Sequence, residues 1–170
     1  MSNSEPRHQI PEGYGTVTPW IVSRHSVSLI SFLEKAFDAR LKGSPIYNQD
    51  GSVGHAEVVI GGSVVMLFDS KPSWPTTPAF LRLYFNDADR MYQQALDAGA
   101  RSVTKMTELF WGDRVGRVCD PSGNIWWIQS IPTNLKYEEI QRRSQDPDMI
   151  KAMEYVQRSL DEELSSHKML

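Results

Sequence analysis

Apolar residues along the chain follow two periods, and the same order of periods occurs twice. Residues 16–22 are rich in β-branched side chains and predict a strand, with Pro19, which has no N–H to give a ladder, marking an edge or irregular position. Leu29, Ile30, Leu33, Ala36 and Phe37 then recur at helical spacing within 26–39, behind serines able to cap a helix. Residues 41–47 predict a further strand, and 54–60 and 63–68 a hairpin turned at Gly61-Gly62.

The proline-rich stretch 71–78 interrupts this pattern, which restarts with a strand at 80–85. Ala88, Met91, Tyr92, Ala95 and Leu96 share one helical face that ends at Gly99. Strands follow at 101–105, 115–119 and 124–129, the last two joined by a turn at Asp120-Pro121-Ser122-Gly123. Two β-α-β-β-β units result, and residues 32–40 parallel 92–100 in sequence, as a duplicated module would.

The expected organisation is an N-terminal arm at 1–13, one domain at 14–131 built of modules at about 14–70 and 79–131, and a helical extension at 132–170. In the extension Met149, Ile150, Met153, Val156, Leu160 and Leu164 form an apolar stripe behind Asp146-Pro147. That stripe needs a covering surface, either its own domain or a second copy of the chain.

Composition narrows the function classes. A net charge of −3 removes the basic surplus that phosphate-backbone binding requires, so no nucleic-acid partner is expected. The lone Cys119 excludes an internal disulfide and cannot by itself build a thiolate metal site; packing is its simplest role. Without an apolar leader or a membrane-length apolar run, no membrane partner is expected and a cytoplasmic protein is.

The paired modules, with Tyr14-Gly15-Thr16-Val17-Thr18-Pro19 at the first strand, His55-Ala56-Glu57 in the hairpin, and Trp111-Gly112-Asp113-Arg114 before Asp120-Pro121-Ser122-Gly123-Asn124, resemble the vicinal-oxygen-chelate superfamily of glyoxalase, bleomycin-resistance and dioxygenase proteins. The likeness is greatest to its PhnB-like branch and covers about residues 14–131. It implies an α+β fold in which the two modules form a U-shaped mixed sheet with helices on the outer face and a ligand on the concave face. Alternation then sends Val17, Ile21, Ala56, Val58, Ile60, Val65, Leu67, Leu81, Leu83, Phe85, Trp126 and Ile128 to the helices. The family's metal ligands map by register to Thr18, Met66, Phe80 and Trp127. One hydroxyl, one thioether and two aromatic rings are no donor set for a divalent ion, so neither a metal nor another cofactor is expected.

Thr18, Trp20, Met66, Phe68, Phe80, Tyr84 and Trp127 are expected to line an aromatic cavity, with Trp111 at its mouth. His55 and Glu57 lie two apart on a strand and give an acid/base pair, which structure alone can also explain as a hydrogen-bonded pair fixing the hairpin or meeting Arg82. Arg82 is the expected electrostatic partner of that pair, and Arg117 a ligand-binding cation; Arg114 is expected in an ion pair with its neighbour Asp113. Two functions remain open. One is capture of an aromatic or carbonyl-containing metabolite, in a homodimer as bleomycin-resistance members do; the other is metal-independent isomerase, lyase or cyclase chemistry through His55, Glu57 and Arg82.

Overall fold

A computed structural model describes residues 10–11, 13–132 and 134–166. Most of the expected N-terminal arm therefore lies outside the described residues. The elements are β1 (Trp20–Ser23), α1 (Ser26–Phe37), β2 (Arg40–Leu41), β3 (Ile46–Tyr47), β4 (Val53–Ile60), β5 (Ser63–Asp69), β6 (Phe80–Phe85), α2 (Ala88–Asp97), β7 (Arg101–Glu108), β8 (Arg114–Cys119), β9 (Ile125–Ser130), α3 (Tyr137–Ser144) and α4 (Pro147–Ser166).

Both modules share one topology, as a duplication requires. The first sheet runs β1-β5-β4-β2, with β3 also on β4, and the second runs β6-β9-β8-β7. In each the first strand lies parallel to the last, β1 on β5 and β6 on β9, while the other pairs are antiparallel. The α+β class with paired modules holds. The sheet expected as one U is realised as two, with β1 and β6 each at an edge of its own sheet.

Four boundaries differ from expectation for local reasons. β1 begins at Trp20 rather than Thr16: the first ladder bond runs from the Met66 N–H to the Pro19 carbonyl at 3.0 Å, so pairing starts where proline's missing donor no longer matters. Val17, expected in the core, is 84% exposed as a result. α1 stops at Phe37 because Asp38 takes a left-handed conformation (φ 52°), which returns the Ala39 N–H to the Leu33 carbonyl at 3.3 Å. The strand expected at 41–47 is two short bridges either side of a loop, and the expected tail helix is a pair, α3 and α4.

The remaining core assignments hold, and the core joins the modules. Ile21, Ala56, Val58, Ile60, Val65 and Leu67 from the first sheet and Trp126 and Ile128 from the second lie in one buried cluster with the inner faces of α1 and α2. Phe37 packs against Trp126 at 5.2 Å and stacks on Phe85 at 6.2 Å. The helices are also tied through the turn at Asp38, which accepts a hydrogen bond from Gln94 Nε2 at 2.9 Å.

The Asp120 turn is structural. Its buried carboxylate accepts from the Ser122 and Asn124 backbone N–H groups at 2.8 and 2.9 Å, from Asn124 Nδ2 at 2.8 Å and from the Trp126 indole at 2.8 Å. It thereby fixes both the turn into β9 and the rotamer of the largest fully buried side chain.

α4 covers part of the second sheet's outer face, away from the shared core. Val156 packs with Leu109 and Val115 against Trp111 and Trp127. Ser159 meets Thr104 at 2.7 Å, Glu163 holds Arg101 through two bonds of 2.7 and 2.6 Å, and the Tyr155 hydroxyl accepts from the Lys105 N–H at 2.9 Å. The helix thus packs on its own domain. Ile150 and Leu164 of the expected apolar stripe are exposed instead, because the side of α4 facing the sheet is Val156, Ser159 and Glu163.

Replacing Asp120 with Ala removes four hydrogen bonds and leaves the Trp126 indole and Asn124 buried without their acceptor, a loss of about 3 kcal/mol or more. Urea unfolding should show a lower midpoint with an unchanged slope; a midpoint equal to that of the parent protein contradicts the assignment.

Candidate functional site

The face of each sheet turned away from the shared core carries the chemistry. On the first sheet, lateral pairing aligns Trp20 of β1, Met66 of β5 and Glu57 of β4 in one row. His55 Nε2 donates to Glu57 Oε1 at 3.0 Å, and the Tyr14 hydroxyl donates to Glu57 Oε2 at 2.5 Å. Lys42 sits 3.7 Å above the Tyr14 ring. The Tyr14 hydrogen bond, with smaller help from His55 and Lys42, holds the Glu57 carboxyl below the ordinary carboxylate range against the opposing effect of burial.

This arrangement assigns roles within the pair. An ionised Glu57 only accepts, so it fixes the proton of neutral His55 on Nε2 and leaves Nδ1 as the lone-pair nitrogen. A carboxyl whose pKa is lowered is a poorer base than an ordinary carboxylate, which suits Glu57 to orienting the imidazole. Trp20 lies 5.5 Å from the His55 ring and 5.4 Å from Phe68, whose far side meets Trp74 at 6.1 Å. Trp74 belongs to the proline-rich connection, which Arg24 pins through bonds to the carbonyls of Lys71 and Trp74.

The second sheet has a corresponding row of different chemistry. Arg82 of β6, Trp127 of β9 and Arg117 of β8 are lateral neighbours, with Thr104 of β7 beyond. The two guanidinium carbons lie 4.3 and 4.0 Å from the Trp127 ring centroid. Phe80 and Tyr84 flank Arg82 on β6, each 51% exposed. Trp111 packs under α4 beside Val115, edge-on to Phe110 at 4.7 Å, so it belongs to the covered part of this face rather than to an open mouth.

The sequence-expected residues therefore fall into two groups. His55, Glu57, Trp20, Met66 and Phe68 come together on the first sheet; Arg82, Phe80, Tyr84, Arg117 and Trp127 do so on the second. Arg82 meets Tyr84 at 3.4 Å and Trp127, not the His55-Glu57 pair. Thr18 precedes β1 in irregular chain. Arg114, the first residue of β8, makes its ion pair with Asp89 of α2, through bonds of 2.6 and 2.7 Å, rather than with Asp113, whose carboxylate accepts from Gln129 at 2.6 Å. Cys119 is buried, and burial raises its thiol pKa, as suits a packing residue.

Tyr14, Lys42 and Trp74 were not among the expected site residues. Their signals were faint: a tyrosine between two glycines, a lysine beside a glycine, and a tryptophan among prolines.

The divalent metal that the resemblance implies for many relatives finds no donor set in these side chains. Met66, Phe80 and Trp127 occupy sheet positions that present a thioether and two rings, and the described residues contain no cluster of three or more His, Cys, Asp or Glu suited to a metal. The donors do not fit such an ion.

The sequence profile of the Glyoxalase/Bleomycin resistance protein/Dioxygenase superfamily matches residues 21–128. The chain belongs to this superfamily. An uncharacterized protein of Mycobacterium bovis is 37% identical over 136 residues, spanning 74% of this chain and 89% of its own, and one of Mycobacterium tuberculosis is 37% identical over the same length, with 79% of its own chain covered. Among solved structures, TioX from a Micromonospora species superimposes with a TM-score of 0.58 at 21% identity, covering 68% of this chain and 98% of its own. The fosfomycin resistance protein FosX of Listeria monocytogenes does so with 0.54 at 12% identity, covering 73% and 96%. Both share the fold of the superfamily.

Tyr14→Phe removes the largest influence on Glu57. Folding lowers the Glu57 pKa, so the carboxylate contributes stability above its ordinary value of 4.5 and loses it as pH falls through the folded value. In a carbon-13 NMR titration the variant's Glu57 midpoint should rise, and acid unfolding should begin at higher pH. An unmoved midpoint contradicts the Tyr14 assignment.

Proposed function

We propose that this superfamily member binds a small aromatic or carbonyl-containing molecule on its outer sheet faces, without the superfamily's usual metal. The observation that carries this reading is a gap of about 560 Å³ between the modules, lined by Tyr14 and Val64 on one side and by Arg82 and Tyr84 of β6 on the other. Its volume suits a small ligand, and its walls include Arg82 and Tyr84 of the second sheet's group and Tyr14, the partner of Glu57. Trp20, Phe80 and Tyr84, each about half exposed beside it or on the adjoining faces, supply aromatic surface that the aliphatic core does not use.

The reading includes a domain spanning about 14–131, membership of the PhnB-like branch, a cytoplasmic setting and a homodimer in which a second copy closes the outer faces. No helix among the described residues is long and apolar enough to cross a membrane.

The Tyr14-Glu57-His55 chain favours one second reading, proton transfer. His55, its tautomer set by Glu57, accepts a proton through Nδ1 from an acidic C–H or O–H of the bound molecule; isomerase, lyase or cyclase steps share this event, and Arg82, the electrostatic partner expected from the sequence, lies on the other sheet.

Calorimetric titration of the full chain with a panel of aromatic acids, amides and ketones separates these readings. Binding by some members, with affinity unchanged in Glu57→Gln, is expected for both; loss of an observed turnover in that variant by about 100-fold identifies the proton-transfer enzyme. Absence of binding by every member at millimolar concentration contradicts the proposed function.

A further inference from the structure

The row of Arg82, Trp127 and Arg117 carries two positive charges that no carboxylate among the described residues pairs with. Each of the eight ion pairs among the described residues uses other groups, and neither Arg82 nor Arg117 takes part in one. For Arg82, at the surface, water suffices. Arg117 is different: only 3% of it is exposed. Burying a guanidinium without a counter-charge costs several kcal/mol in general, and such groups are normally paired.

What holds Arg117 is incomplete. Its Nη1 donates to Thr104 Oγ1 at 3.0 Å and to the Val156 carbonyl of α4 at 2.7 Å, and its plane rests on Trp127. These acceptors are neutral. Arg117 Nε and the Trp127 indole N–H are both buried donors without an acceptor among the described residues. Burial and the neighbouring charge of Arg82 push the Arg117 pKa down to about 10, so it remains cationic at neutral pH. Placing Arg82 over the same ring adds repulsion that an internal structural role does not require. An oxyanion beside the row would relieve it.

The neighbouring surface describes the rest of the ligand. A hollow of about 220 Å³ is lined by Phe80, Leu81, Arg82 and Trp127, so an apolar body can sit beside Phe80 and Trp127 while its charged end meets the Arg82 guanidinium, with the charge of buried Arg117 adding to the field. The carboxylate row of the first sheet, Trp20-Met66-Glu57, offers no such site for an anion.

We propose that Arg82, in the positive field it shares with buried Arg117, binds the oxyanion of a planar organic acid, a carboxylate, phosphate or phosphonate, whose apolar body sits beside Phe80 and Trp127. This rests on the small-molecule reading above and names the chemical class of the ligand.

The test is calorimetric titration of the full-length protein with benzoate, phenylphosphonate, their neutral counterpart benzamide, and inorganic phosphate. Benzoate or phenylphosphonate should bind at least about tenfold more tightly than benzamide, as a charge-assisted bond contributes, and their order identifies the preferred oxyanion. Inorganic phosphate, lacking the flat body, should bind more weakly than phenylphosphonate. Arg82→Gln, an exposed substitution that the fold tolerates, should weaken binding of the tighter acid by about tenfold while leaving benzamide affinity and thermal unfolding unchanged.

Equal affinity for acids and benzamide, or an Arg82→Gln variant that binds the acids as well as the parent, overturns the anion site and leaves the small-molecule reading standing. Failure of both acids while neutral aromatics or ketones bind has the same meaning. Failure of every compound overturns both.

Discussion

Adjacent tryptophans facing opposite ways set the geometry of the second module. Trp126 has no exposed surface: its ring packs on Phe37 of the first module and its indole nitrogen is bonded to the buried Asp120. A strand cannot turn one such residue inward without turning the next outward, so burial of Trp126 places Trp127 on the outer face between Arg82 and Arg117. Slippage of β9 by one residue would exchange the two indoles and destroy the core and the site together. Stability and binding geometry are thus coupled through one register.

The two modules share a topology and differ in what they place on their outer faces. Equivalent rows hold Trp20, Met66 and Glu57 in one and Arg82, Trp127 and Arg117 in the other. A carboxylate pinned ionised by Tyr14 orients an imidazole on the first sheet; two unpaired guanidinium groups share an indole on the second. The same scaffold, present twice, thus carries a carboxylate and an imidazole on one outer face and two guanidinium groups on the other. The absence of a plausible metal donor set at Met66, Phe80 and Trp127 removes Lewis-acid polarisation from what these side chains can supply, leaving hydrogen bonds, charge and apolar contact.

Much of the fold was legible because alternation and helical spacing are local signals tied to burial. Ile21, Ala56, Val58, Ile60, Val65, Leu67, Trp126 and Ile128 face the core as their period implies. Val17 does not, because the rule assumes a strand and Pro19 delays it. Contacts between distant segments were not legible: the Tyr14 hydroxyl reaches Glu57 across 43 residues and α4 reaches Arg117 across 39, and no period in either segment encodes the partner. Arg114 shows the same limit, since a carboxylate adjacent in sequence lost to Asp89, 25 residues away on α2. For α4 the apolar stripe suggested a greasy contact, which Val156 and Met153 make, but the hydrogen bonds of Ser159, Glu163 and Tyr155 beside it had no signal in the period.

Trp126 belongs to the core, and Trp127 to the face on which the proposed ligand would sit. The direct measurement follows the two indole N–H resonances in a nitrogen-15 NMR spectrum, assigned by Trp127→Phe, while benzoate or phenylphosphonate is added to the intact protein. The account predicts a saturable shift of the Trp127 signal with that of Trp126 unmoved. A shift at Trp126 alone, or titration of the acids with neither indole responding, contradicts it.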